Sequence, residues 1–300
     1  MIRRIALAFV LCALVTCSAF GDDKDKFFDS NGVKIHYVVE GQGEPVVLIH
    51  GFTASIQMQW GLPGILSKLS KDYQVVAYDN RGHGRSGKPH DPSMYGVEMV
   101  NDVTRLMDHL NIKKAHVVGY SMGGFITDLL VATHPDRLIT ATLGGAGWMR
   151  PDDSRMSFMT ELADSLDAGK GIGPLINQLT PAGRPKPTEE QIDSFNQMLS
   201  LTNDPKALAA CVRGMGKLNV TEAQLKANKV PVLALIGELD PLKAGVDELK
   251  TVMPDLKVVV IEDTDHMTAF RDPKFIGGLE DFLEAHSKLK PAAAAADGAK

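Results

Sequence analysis

Ala115-His116-Val117-Val118-Gly119-Tyr120-Ser121-Met122-Gly123-Gly124 is the stretch whose reading decides the fold. It opens as a short apolar run with β-branched residues, the pattern of a strand buried on both faces. It then passes through G-x-S-x-G and continues with Met122, Phe125, Ile126, Leu129 and Leu130 at helical spacing. A strand that turns at once into a helix strains the backbone at its apex, so small neighbours are needed at Gly119 and Gly123. Ser121 would then stand at a helix N-terminus, where free N–H groups and the helix dipole favour developing negative charge. Ser121 is therefore the candidate nucleophile.

Outward from this segment the chain alternates. Strand-like runs fall at Ile35–Glu40, Pro45–Ile49, Gln74–Tyr78, Ala115–Gly119, Ile139–Leu143, Val232–Ile236 and Lys257–Ile261. Helical spacing appears between them, at Tyr95–Leu110 and again near the C-terminus through Phe275, Ile276, Leu279, Phe282 and Leu283. This predicts an α/β fold, a mostly parallel central sheet with helices on both faces. The turn-like Asp29-Ser30-Asn31-Gly32 ahead of the first run predicts an antiparallel hairpin at one edge. From Trp148 to Lys229 no strand is evident and the text is helical and polar, which predicts a helical cap over 149–229 inserted into a core of 22–148 and 230–290.

A serine hydroxyl is a weak nucleophile and needs a base, which needs an orienting carboxylate. In a sheet of this kind the chain order is Ser, acid, His. Six of the nine histidines precede Ser121, and His134 comes before any further strand. His286 sits in the solvated end of the last helix. His266, in Asp263-Thr264-Asp265-His266 just past a strand, is left as the base. Glu238 and Asp240 both leave the end of the strand Val232–Ile236; the short side chain of Asp240 and the turn set by Pro241 favour Asp240. His50-Gly51-Phe52-Thr53 follows the strand Pro45–Ile49, so the amides of Phe52 and Met122 are the expected oxyanion donors. His50 is read as a brace for that loop. Phe52, Met122, Trp148 and Met267 suggest an apolar substrate pocket, with Trp148 and Met267 on its wall.

Taken together, His50-Gly51-Phe52, Asp79-Asn80-Arg81-Gly82-His83-Gly84-Arg85-Ser86, Gly119-Tyr120-Ser121-Met122-Gly123-Gly124, Gly237-Glu238-Leu239-Asp240 and Asp265-His266 resemble the α/β-hydrolase superfamily, in its esterase, lactonase and non-haem peroxidase-like branches. The resemblance covers Gly32 to His286. It implies a serine esterase acting on a small-molecule ester without a cofactor, and a structural role near the pocket for the Asp79–Ser86 loop. Lactone hydrolysis, perhydrolysis and C–C bond hydrolysis use the same triad and stay open beside it. A non-catalytic ligand sensor on the same scaffold is the alternative from another class. Dehalogenase and epoxide hydrolase chemistry would need a carboxylate where Ser121 stands.

Two patterns mislead. Gly82-x-Gly84-x-x-Gly87 fits a dinucleotide fingerprint, and Gly82-x4-Gly87-Lys88 nearly fits a phosphate loop, but both need a helix to open directly behind them. Lys88-Pro89-His90-Asp91-Pro92 follows instead. No His or Cys pair has metal-ligand spacing, so no metal is expected. Net charge is −5 with no basic cluster beyond the extreme N-terminus, which argues against nucleic acid. Hydrophobic residues at 44% and charged residues at 23% are ordinary for a folded domain.

The N-terminal residues 1–21 read as a secretory signal: Arg3 and Arg4, the apolar run Ile5–Val15, then small residues before Asp22-Asp23-Lys24. Eleven apolar residues are too few to span a bilayer stably, so an exported chain with no stable membrane insertion is expected. Its loss takes the net charge from −5 to −7. Two alternatives stand beside it: a lipid anchor on Cys17 of Leu14-Val15-Thr16-Cys17, although Thr16 replaces the smaller residue such a site prefers, and an uncleaved anchor. Cys12 and Cys17 lie in the signal, which leaves Cys211 alone and without a disulfide partner. Cys211 is read as a packed apolar residue. Asn219-Val220-Thr221 is a lone glycosylation sequon, and the tail 291–300 is low-complexity and expected to be disordered. Oligomeric state is not legible.

Overall fold

The computed structural model describes residues 25–154 and 157–288, so the signal expected over 1–21, with Cys17, and the tail 291–300 lie outside the described residues. In chain order the elements are β1 (Lys26–Ser30), β2 (Val33–Glu40), β3 (Glu44–Ile49), α1 (Ile65–Leu69), β4 (Tyr73–Tyr78), α2 (Val97–His109), β5 (Ala115–Tyr120), α3 (Met122–Thr133) and β6 (Leu138–Gly144). There follow α4 (Phe158–Asp167), α5 (Gly173–Leu179), α6 (Glu189–Ser200), α7 (Pro205–Met215) and α8 (Glu222–Ala227), then β7 (Val232–Gly237), α9 (Lys243–Val252), β8 (Lys257–Ile261) and α10 (Pro273–His286).

One eight-stranded sheet carries the order β1-β2-β4-β3-β5-β6-β7-β8. β2 pairs antiparallel with both β1 and β4, and every other pairing is parallel. The β1–β2 hairpin turns at Asn31 and Gly32, both at positive φ, the two-residue turn whose twist matches paired strands. Central β5 and β7 are buried at every position, whereas edge strand β8 exposes Lys257 and Val260. An edge strand has one flank open, so its alternation is less apolar than that of its neighbours.

Among the described residues, the chain between β6 and β7 is helical in all its regular elements, but it packs as two parts. Leu162, Leu166 and Ile172 join Leu208, Ala209 and Val212 of α7 in a cluster of their own. Ala210, Cys211, Met215, Leu218 and Val220 instead enter the main core beside Met122 and Ile126. Its base is stitched shut, since Val220 donates its amide to Met149 O at 3.0 Å and the Trp148 indole donates to Val220 O at 2.7 Å.

Candidate active site

Because β3, β5, β7 and β8 run parallel, the loops at their carboxyl ends gather on one edge of the sheet. Phe52 follows β3, Ser121 follows β5, Asp240 follows β7 and His266 follows β8.

Ser121 occupies the strained position of the turn, at φ 55° and ψ −118°. Its amide donates to Gly144 O at 2.8 Å, and its carbonyl accepts from Gly124 and Phe125. The flanking glycines are explained by backbone approach: a Cβ on Gly119 would run into the Gly123 carbonyl, and one on Gly123 into the Ile49 carbonyl. Ser121 Oγ lies 2.9 Å from His266 Nε2, and His266 Nδ1 lies 2.8 Å from Asp240 Oδ2. Asp240 is 3% exposed, and its other oxygen accepts the Leu242 amide at 2.9 Å. Glu238 is exposed and turns aside to accept the Asp263 amide. A hydroxyl, an imidazole and a carboxylate in this line can pass a proton from Ser121 to His266 while the carboxylate stabilises the resulting imidazolium.

Among the described residues, the amides of Phe52 and Met122 have no backbone acceptor, and both residues line the cavity that contains Ser121. The Phe52 loop is braced from behind. His50 Nδ1 donates to Gly51 O at 2.8 Å and its Nε2 accepts the Asn80 amide at 2.9 Å, while the Asn80 side chain donates to His50 O. This pattern needs a neutral ring, and burial holds the His50 pKa below its ordinary value. His83, whose ring meets both His50 and Phe52 edge-on, is pushed down to about 3, chiefly by burial. Asp79 anchors the same loop, accepting from His36 Nδ1 and from the amides of Ile56 and Arg85. Arg81, fully buried, forks onto Asp102 at 2.6 and 2.7 Å. The Gly82–Gly87 region thus serves as scaffold, with Gly82 packed on the Tyr95 ring and Gly84 on the Asp79 carboxylate.

The cavity over Ser121 has a volume of about 600 Å³. Its far wall comes from the inserted helices, including Phe158, Leu162, Leu175, Ile192 and Phe195. Met267 lines it with half of its surface still open. Trp148 does not belong to this wall and corrects the sequence expectation. It leaves the same end of β6 but lies under the insertion, its indole committed to Val220 O, with Arg150 over its ring. Cys211 is buried, donates to the Met122 sulfur at 3.7 Å, and has its thiol pKa pushed up by burial, so it is a packing residue.

One contact to this site escapes sequence reasoning. Tyr120, directly before Ser121, donates its hydroxyl to the backbone carbonyl of His266 at 2.6 Å. An aromatic residue in that position is its only trace in the sequence. Among the described residues no group of three or more His, Cys, Asp or Glu side chains is placed to hold a metal ion, and no helix is long and apolar enough to cross a membrane.

A mostly parallel sheet with a serine at a strained strand-to-helix turn, a histidine in reach and a carboxylate behind it defines the architecture of the hydrolases built on this sheet. The chain belongs to the alpha/beta hydrolase fold family, whose model matches residues 44–273. It is 29% identical over 252 residues to the dihydrolipoyllysine-residue acetyltransferase component of the acetoin cleaving system of Cupriavidus necator, an alignment covering 81% of this chain but only 64% of that protein. Among solved structures, an N-acyl homoserine lactone degrading enzyme superposes with a TM-score of 0.66 at 26% identity, covering 86% of this chain and all of the other. A thermophilic esterase from Thermogutta terrifontis superposes with a TM-score of 0.70 at 24% identity, covering 88% of this chain and 98% of that one.

Proposed function

We propose that the protein is a serine hydrolase that cleaves carboxylic esters of small to medium, apolar substrates through an acyl-enzyme. The observation that carries this reading is the unbroken line Ser121–His266–Asp240 at 2.9 and 2.8 Å, opening into an apolar cavity. His266 takes the Ser121 proton as Oγ attacks the carbonyl carbon, and the amides of Phe52 and Met122 hold the oxyanion. His266 then protonates the leaving alkoxide, and afterwards takes a proton from the water that releases the acid and frees Ser121. Asp240 keeps the imidazole in the working tautomer, and the inserted helices α4 to α6 lid the pocket.

Labelling with a fluorophosphonate tests the nucleophile: the adduct is expected on Ser121, and a Ser121→Ala chain is expected to stay unlabelled. An unlabelled wild-type chain would favour a non-catalytic binder instead. Lactone hydrolysis is the second reading, favoured by the likeness to the lactone-degrading enzyme. A series of p-nitrophenyl esters run beside lactones separates the two. Export rests on Arg3, Arg4 and the apolar run Ile5–Val15. Mass spectrometry of the exported chain is expected to find an unlipidated start near Phe20 or Asp22; an intact Met1, or a lipid on Cys17, would overturn it.

A further inference from the structure

His266 stands in a loop whose two sides are tied down by its neighbours. Leu239 donates its amide to Thr264 O, and the Asp265 carboxylate accepts the amides of Met267 and Thr268. The carbonyl of His266 itself is held from across the sheet edge, by the Tyr120 hydroxyl at 2.6 Å.

We propose that Tyr120 is a positioning residue, whose hydroxyl fixes the His266 backbone so that the imidazole stays aligned with Ser121; this rests on the serine hydrolase reading. Three features confine the donor. Tyr120 is 2% exposed. A Cβ on Gly144 would lie 2.8 Å from its ring, and one on Gly145 would lie 2.7 Å from it, so two glycines form the bed on which the ring rests. The rings of Phe270 and Phe275, at 5.1 and 5.8 Å, and of His266, at 5.5 Å, close around it. Burial also holds the phenol pKa well above its ordinary value, so the group remains a donor across the working range. Tyr120 is covalently next to the nucleophile. A single side chain therefore ties the backbone of the base to the backbone of the serine, and a displacement of one is carried to the other.

The test is Tyr120→Phe in the full chain, which deletes the oxygen and keeps the ring. Single-turnover acylation with p-nitrophenyl butyrate is expected to slow by about 10- to 100-fold, the scale of a small misalignment of reacting groups. The ester concentration that gives half the maximal acylation rate is expected to hold within about twofold, because the deleted hydroxyl is engaged with the His266 carbonyl. The proton resonance of the N–H between His266 and Asp240 is expected to broaden. Phe282→Leu, buried in α10 with its ring against His286 and not against Tyr120, serves as the packing control, expected to lower the thermal midpoint while acylating near the wild-type rate with the resonance intact. Acylation by Tyr120→Phe within about twofold of wild type would overturn the proposal, as would equal slowing in Phe282→Leu. Should Tyr120→Phe fail to fold, 3,5-difluorotyrosine placed at 120 keeps the shape and strengthens the donor. A changed acylation rate is then expected, and an unchanged one overturns the proposal. A wild-type chain that no phosphonate labels at Ser121 sinks the serine hydrolase reading itself, a separate outcome.

Discussion

Asp240 Oδ2 lies 2.8 Å from His266 Nδ1, while Glu238, from the same strand end, faces away and accepts the Asp263 amide at 3.1 Å. Two carboxylates that sequence position barely separates are thus separated by direction. Asp240→Asn is expected to leave the fold intact and cut acylation by about 10⁴, since the imidazole loses its tautomer partner. Glu238→Gln is expected to cost about tenfold or less, since it removes no member of the proton-transfer line. Single-turnover kinetics after circular dichroism checks both. A crippled Glu238→Gln beside a normal Asp240→Asn would remove Asp240 from the mechanism.

The inserted helices supply the far wall of the cavity, so they are expected to set chain-length preference. Deleting the whole insertion would also tear Cys211, Met215, Leu218 and Val220 from the main core, so single wall substitutions are the cleaner probe. Ile192→Trp is expected to lower the ratio of kcat/KM for decanoyl over acetyl p-nitrophenyl ester by about tenfold, and Phe195→Ala to raise it. If both variants keep the wild-type ratio, these side chains do not meet the substrate.

Asp128, buried in α3 with Oδ2 unpartnered, has its carboxyl pushed up to about 7 from 3.8 by burial. The sign follows from the raised value. Below 3.8 the folded and unfolded chains are both protonated there, and the burial costs nothing extra through this group. From there to about 7 the unfolded chain has lost a proton that the folded chain keeps, so stability falls as pH rises. The full loss is about 4 kcal/mol. Urea unfolding at about pH 5.5 and pH 8 is expected to show wild type losing about 2 kcal/mol relative to Asp128→Asn between the two. An identical gap at both pH values would mean that the carboxyl does not titrate across this range.

Trp148 is placed under the insertion, with its indole N–H on Val220 O. Trp148→Phe is expected to cost about 1–3 kcal/mol by leaving that carbonyl unpaired. Its ester profile is expected to match wild type within about twofold. A marked change in acyl preference without loss of stability would return Trp148 to the pocket wall.

Local pattern was enough to read the sheet, the turn at Ser121 and the order of the groups around it. A strand passing into a helix through G-x-S-x-G can bend in few ways, and Gly119 and Gly123 are required by backbone contacts within that bend and with the adjacent strand β3. His266 and Asp240 were legible for a related reason. Parallel strands deliver every loop at their carboxyl ends to one edge, so knowing the strands places the loops. Side-chain direction was not legible in this way. Trp148 and Met267 both follow strands as apolar residues, yet only Met267 faces the cavity, because the insertion covers one and leaves the other open. Strand β1, too polar to stand out alone, forms because the Asn31-Gly32 turn folds it onto β2. Tyr120 and His266 stand 146 residues apart, and the group that Tyr120 holds is a backbone carbonyl. Every residue carries such a carbonyl, so no residue type in the sequence marks the partner, and only the packing of two loop ends against each other decides it.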